Sequence, residues 1–284
     1  MALDNLDARN TVVVGGGSGI GRGVALALAD QGARVLVGDI DADAADAVRD
    51  EIVSKGGEAF STKVDATDGQ SLQAAAAEAE SKLGGVHVLV HTVGVISDSP
   101  VVSASEDDWA WHFEFNLMAA VRDVTAFLPL LRANDEGGHI VVTSSMAGVM
   151  AFPPSETGGL NVGAYTVLKH AIFAYGEMLG YELAPEGIGV SVLCPGVVRT
   201  NLDETSAANR PARFGGPLPP PKELDLPVRM DPEDAGRIVV EGIRTNRKYI
   251  FTHPQLGEFV QTLRIGPLLD DFGFWAERAA AATT

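Results

Sequence analysis

One cysteine stands among 284 residues. With a single thiol, Cys194, no disulfide framework can form within the chain, which fits a reducing cytoplasm. Cys194 falls in the apolar run GVSVLCPG, where a small buried hydrophobe on a strand is the expected role. Basic residues are scarce too: 21 Lys and Arg against 38 Asp and Glu leave a formal charge of −17. That balance argues against nucleic acid and anionic membrane faces as partners. Charged residues of both signs make up only 21% of the chain against 46% apolar, which excludes a disordered chain and allows a sizeable core. Long hydrophobic runs are missing. The nearest charge-free stretch, 140–155, contains Pro153 and Pro154 and is too short to span a bilayer. The opening MALDNLDARN is acidic and lacks an apolar stretch, so no signal peptide is expected. A soluble, cytoplasmic protein is the expectation. The six histidines show no paired ligand spacing, so no metal is expected.

What is present is alternation. Short β-branched runs at 11–15, 33–39, 58–65, 86–94, 139–145, 188–196 and 248–253 read as strands. Between them, helices are expected over 19–31, 41–55, 68–83, 106–132 (bent or ended near Pro129), 162–183 and 234–244. Nearly unbroken apolar strands joined by helices imply a parallel sheet covered on both faces. Right-handed crossovers then give an α/β, Rossmann-like, doubly wound sheet of about seven strands, with the ligand at the carboxyl ends of the strands. The whole chain, 1–284, reads as one domain. Residues 199–232 break the rhythm with seven prolines and read as a structureless stretch, functional or mobile, while 254–284 form a C-terminal extension.

The motifs fall at strand ends. VVVGGGSGIG sets Gly15, Gly19 and Gly21 between a strand and a helix, where glycine permits a tight turn and close approach to a pyrophosphate. Asp39 ends the second strand. A carboxylate there can accept hydrogen bonds from adenosine ribose hydroxyls and repel a 2′-phosphate. Ser18 rather than a basic residue precedes Gly19, so NAD is expected over NADP. Asp65, after the third strand, either contacts adenine or caps the next helix. Tyr165 and Lys169 lie four apart on one helix face, where an ammonium would lower the phenol pKa. Ser144 and Ser145 end the preceding strand and either hold a substrate carbonyl or close a turn. Asn116 sits in a helix among apolar residues, where an amide needs a partner, catalytic or packing.

Together these residues resemble the short-chain dehydrogenase/reductase family, over roughly residues 10–252. Gly15, Gly19, Ile20 and Gly21 match its cofactor turn, with Val14 where Thr is usual. Asp39 matches its NAD-selecting carboxylate and Asp65 its adenine contact. HTVG at 91–94 occupies the place of NNAG, with Gly94 the full match and His91 in place of the first asparagine. Asn116, Ser145, Tyr165 and Lys169 match the catalytic tetrad, and Pro195, Gly196 and Thr200 the segment that holds the nicotinamide carboxamide. The resemblance also puts Ser18 and Val198 on that cofactor surface. The resemblance implies an NAD-dependent alcohol dehydrogenase or ketone reductase working as a homotetramer or homodimer. Tyr165 would be the general acid/base and Lys169 would lower its pKa and hold the nicotinamide ribose. Ser145 would position the carbonyl, and Asn116 would anchor a water.

The stretch 146–164 between Ser145 and Tyr165 is longer than the family usually has, and is expected to rim a larger cleft. Met146, Met150, Phe152 and Leu202 are candidates to line it, with Phe214, Leu218 and Leu224 on the loop above. RKYIFTHPQLGEFV is similar to the C-terminal part of bacterial family members acting on bulky benzylic alcohols, including lignin-ether dehydrogenases. A hydrophobic alcohol or ketone, aryl, benzylic or steroid-like, is therefore the expected substrate. The apolar side chains of the tail are expected to pack on the domain or on another subunit. A nucleotide-sugar epimerase or dehydratase and a non-catalytic NAD sensor are the rival readings.

Overall fold

The computed structural model describes residues 3–153, 155, 157, 159–219 and 229–282. Seven strands form one parallel sheet: β1 (Asn10–Val14), β2 (Arg34–Asp39), β3 (Glu58–Lys63), β4 (Val88–His91), β5 (Gly138–Thr143), β6 (Ile188–Cys194) and β7 (Tyr249–Phe251). Their order is β3-β2-β1-β4-β5-β6-β7, so the chain winds outward one way from β1 and then the other. β1 pairs with β2 through Val12↔Leu36 and with β4 through Val12↔Leu89. This switch point, between β1 and β4, is where a doubly wound sheet opens a crevice.

All five residues of β1 and all four of β4 are buried, as two-sided burial requires. Each buried Val or Leu contributes about 1.5–3 kcal/mol relative to exposure. One core layer packs Val12, Leu36 and Leu89 against helices α3 (Gly69–Leu83), α5 (Ala119–Arg132) and α6 (Gly163–Leu183). The other packs Val13, Val35 and Val90 against α1 (Gly19–Ala29), α2 (Ala42–Ser54) and α8 (Pro232–Arg244). Cys194 is fully buried at the end of β6, and burial pushes its thiol up to about 12, so it is an inert packing residue.

Two expectations are adjusted. Pro129 lies inside the last turn of α5, which ends at Arg132. An irregularity comes earlier, where α4 (Glu106–Phe113) passes through a π turn, Glu114–Met118, into α5. Asn116 is the buried residue of that turn. Its amide is held by the loop after β4, a pull that a sequence pattern does not carry. Residues 199–232 are not structureless. They hold a short helix, α7 (Leu202–Ala208), and a 3₁₀ turn, Ala212–Phe214. The prolines obscured a helix that begins after Asn201 and stops before Pro211. Leu224 lies outside the described residues.

The tail has two expected places, the domain or another subunit, and the domain takes only its beginning. After Leu256 and Val260, which touch the core, α9 (Gly257–Val260), a π turn and α10 (Gly266–Ala281) bury no residue. Phe272 and Trp275 are 72% and 66% exposed, so α10 does not pack on the domain. Among the described residues no helix is long and apolar enough to cross a membrane.

Candidate active site

The glycine loop turns between β1 and α1. Gly15 and Gly19 have φ of 83° and 49°, values that favour glycine. Gly21 is needed for closeness instead: a Cβ there would sit 2.0 Å from the Gly15 carbonyl oxygen and 2.6 Å from Thr92 Oγ1. Thr92 fastens the loop from β4, donating to the carbonyls of Val14 (2.9 Å) and Gly15 (3.1 Å). Ser18 is the N-cap of α1, but its side chain makes no capping bond, and the partly exposed Ile20 follows in the first turn. The opening turn of α1 therefore carries no side-chain cap of its own. Asp39, half-buried at the end of β2, accepts from Gly17 N (2.8 Å) and Asp41 N (3.0 Å). Its carboxylate faces the glycine loop across the crevice mouth.

Asp65 does not cap the helix after it. It closes a turn onto Thr67, accepting from its N (2.8 Å) and Oγ1 (2.7 Å), while Asp68 caps α3 through Gln70 N. On the far side, Thr200 stands over the loop, its Cγ2 3.0 Å from where a Gly19 Cβ would lie. Pro195 O accepts from Met146 N, and Gly196 N donates to Thr252 Oγ1. Val198 bridges to Met230. Thr252 and the adjoining His253, both buried, back this segment. In the sequence they stand only as the end of a strand, because nothing in the local pattern links β7 to residue 196.

At the end of β5 and the start of α6 the titratable groups converge. Ser145 Oγ accepts from Ala147 N, and the Ser145 hydroxyl hydrogen-bonds Tyr165. Lys169 Nζ donates to Thr143 O (3.0 Å) and lies 5.6 Å from the Tyr165 ring centre. Ser144, the alternative serine, is spent on the Lys169 carbonyl at 2.7 Å. Gly94 faces this group: a Cβ there would lie 2.9 Å from Asn116 Oδ1 and 3.2 Å from Lys169 Nζ. Burial pushes the Tyr165 hydroxyl up to about 12, with the Ser145 bond opposing, and Lys169 down to about 8. The expected lowering by Lys169 is thus overturned in direction. Desolvation of the phenolate decides the direction, and the downward pull comes from the serine, not from Lys169.

A satellite apolar cluster surrounds Tyr165, built from Ala147, Leu160 and Val162, with Ile96 and Phe152 against it. Four of those five residues come from the long stretch 146–164. Met146 and Met150, 3% and 1% exposed, are core residues, and Met146 packs among Ile172 and Cys194. Leu202 opens α7 with its N directed to Thr200 Oγ1. α7 is tied back by Ser206, whose Oγ accepts from Ile96 N (3.1 Å). Arg210 anchors the segment after it, pairing with Asp108 at 2.6 Å and lying 4.9 Å over the Trp111 ring. His91, at the place of the first asparagine, is fully buried and pairs with Asp123 at 2.6 Å. Two shallow surface depressions, one lined by Ala8 and Arg34 and one by Ile238 and Phe251, share no residue with this cluster.

A sequence model of the short chain dehydrogenase family matches residues 9–211. The chain belongs to the short-chain dehydrogenases. Among curated relatives of this short-chain dehydrogenase, Oxidoreductase UcpA of Salmonella typhimurium is 33% identical over 72% of this chain and 75% of that protein. C alpha-dehydrogenase of a Sphingobium species is 30% identical over 87% of this chain and 81% of its own. Among solved structures, a short chain dehydrogenase/reductase from Burkholderia phymatum in complex with NAD is 28% identical, with a TM-score of 0.83 over 94% of this chain and 96% of its own. The apo form of LigO from Sphingobium is 29% identical, with a TM-score of 0.79 over 98% and 94%. The protein is therefore an oxidoreductase with the Rossmann-like architecture that the strand pattern led us to expect.

Proposed function

We propose that this short-chain dehydrogenase uses NAD to interconvert a secondary alcohol and a ketone, and that its substrate is bulky and hydrophobic. The Tyr165–Ser145 hydroxyl pair beside a buried Lys169, walled by apolar side chains, is the observation that carries the reading. The turn formed by Gly15, Ser18, Gly19, Ile20 and Gly21 fits a pyrophosphate, since α1 opens there without a side-chain cap on its first N–H groups. Asp39 fits a ribose diol and opposes a 2′-phosphate. Asp65 would lie toward the adenine, and Gly94, Pro195, Gly196, Val198 and Thr200 would flank the nicotinamide end. When bound, NAD supplies the carbon that takes or gives the hydride. Tyr165 moves the proton at the substrate oxygen, and Ser145 orients that oxygen. Lys169 holds a positive charge within reach of both the phenol and the cofactor ribose. Asn116 fixes the loop opposite, its Oδ1 beside Gly94 serving as the anchor for a water.

Phe152 and Leu202 serve as substrate-facing positions, with 199–232 as the lid and 254–284 as an extension to a single domain; Met146, named with them from the sequence, belongs to the core instead. The likeness to a C alpha-dehydrogenase along most of the chain supports an alcohol carbon as the reacting centre. Assembly as a homodimer or homotetramer is part of the reading, supported by the bare apolar face of α10. So is a cytoplasmic location, supported by the single buried thiol. The test is NAD reduction against secondary alcohols graded from small aliphatic to aryl and steroidal, with wild type and Tyr165→Phe side by side. Turnover of the larger alcohols, lost in the variant by about 10²-fold or more, is expected. NAD binding with no turnover of any alcohol, or of the matching ketones with NADH, would overturn it.

A further inference from the structure

His112 lies four residues before Asn116 on the same helical face and is fully buried. The orientation of the Asn116 amide is unambiguous, because Oδ1 accepts from Val95 N at 3.0 Å while Nδ2 donates to Val95 O at 2.9 Å. The second Nδ2 hydrogen points to His112 Nδ1, 3.0 Å away. Two donors cannot face each other, so Nδ1 is the acceptor and the imidazole carries its hydrogen on Nε2. That Nε2 faces Ser97 Oγ at 3.0 Å and Ser99 Oγ at 3.3 Å. Ser99 O in turn accepts from Ala164 N, the residue before Tyr165. The His112 ring also stands edge-on to the Tyr165 ring, 6.4 Å between centres.

We propose that His112 is a positioning residue for the reaction. Its neutral ring locks the Asn116 amide from one side and the Ser97–Ser99 loop from the other, and thereby fixes Gly94 and Tyr165 relative to each other. Its environment suits a neutral ring. Asp108 on its own helix favours the charged form, whereas burial, Arg210 from the segment after α7 and Lys169 from α6 oppose it and hold the ring down to about 4. Tyr165, the other titratable group against the ring, stays uncharged beside it. A protonated ring would turn an N–H against the Asn116 amide and break the lock.

The inference rests on the alcohol dehydrogenase reading, so two measurements separate their failures. The first needs no turnover: nitrogen-15 NMR of histidine-labelled protein between pH 6 and 9. One neutral Nε2–H tautomer for His112, assigned by its loss in His112→Phe, is expected throughout. An Nδ1–H tautomer, or a midpoint inside that range, overturns the proposal whatever the substrate. The second is kinetic, on the best alcohol of the panel. Asparagine carries an acceptor oxygen on Cγ where histidine carries Nδ1, whereas glutamine reaches the Nε2 level and leaves Asn116 without its acceptor. His112→Phe and His112→Gln should lose about tenfold in kcat, the size expected for one buried hydrogen bond, with KM changed by less than about twofold. His112→Asn should recover the rate to within about threefold of wild type. Equal losses in all three variants, or losses confined to KM, would overturn the positioning role. If no alcohol turns over, the function reading falls, and the tautomer alone then decides whether His112 holds Asn116.

Discussion

Replacing Asp39 by Asn separates charge from geometry at the cofactor mouth. The amide oxygen can still accept from Gly17 N, so the glycine loop keeps its 2.8 Å tether and only the negative charge is removed. For NAD, bonds from the ribose hydroxyls become neutral rather than charge-assisted, a loss of about 1 kcal/mol. For NADP, a unit charge roughly 5 Å from the 2′-phosphate costs about 0.8 kcal/mol at the dielectric of water and about 3 kcal/mol at an effective value near 20. Asp39 is half-exposed, so salt and water bring this relief to about 1 kcal/mol. Summed, about 2 kcal/mol shifts the NAD-to-NADP preference by about 30-fold. The assay is kcat/KM for each cofactor with one saturating alcohol. A shift below threefold, in a variant that keeps its melting temperature and its activity with NAD, would refute the role given to Asp39.

Three further outcomes follow from the site. Because Tyr165 is held protonated and Lys169 loses its proton near 8, alcohol oxidation should climb from pH 6 to 8 and bend over above that. Ketone reduction, which uses the proton already in place, should be flat to pH 8 and then decline; matching profiles in the two directions would contradict this. Gly21→Ala should cost about 1–3 kcal/mol of stability by overpacking against the Gly15 carbonyl and should weaken NAD binding, read by thermal melts with and without cofactor. An unchanged melt and unchanged affinity would mean the loop yields freely. Shortening the loop within 152–162, which removes Phe152 and Leu160 from around Tyr165, should move preference toward smaller alcohols, and an unchanged ranking across the panel would count against a walled cleft.

The sheet was legible because its signal is local. β1, β4 and β5 are buried on both faces, and that shows as uninterrupted apolar runs in the chain. The glycines were legible because they follow β1 directly, and Tyr165 and Lys169 because their spacing of four opens α6, the long helix after β5. What escaped depends on contacts between distant segments. The π turn at Asn116 is drawn by Val95, and α7 is held by Ser206 on Ile96 with Arg210 on Asp108 close behind. His112 left one faint trace, its spacing of four from Asn116, the same trace that singled out Tyr165 and Lys169. The direction of the Tyr165 shift could not be read from spacing at all, because burial decides it.

The π turn also sets a phase. Five residues, Glu114–Met118, take up a stretch that an α-helix would complete with one fewer. That single surplus residue turns everything before it by about 100° relative to α5. His112 and Trp111, both buried, lie before that offset on the helix that the Ser105 capping box opens. The long helix is thus two helices in different registers, geared through one tooth. Removing the tooth would leave the hydrophobic pattern of each half nearly intact while carrying the imidazole away from the asparagine it serves.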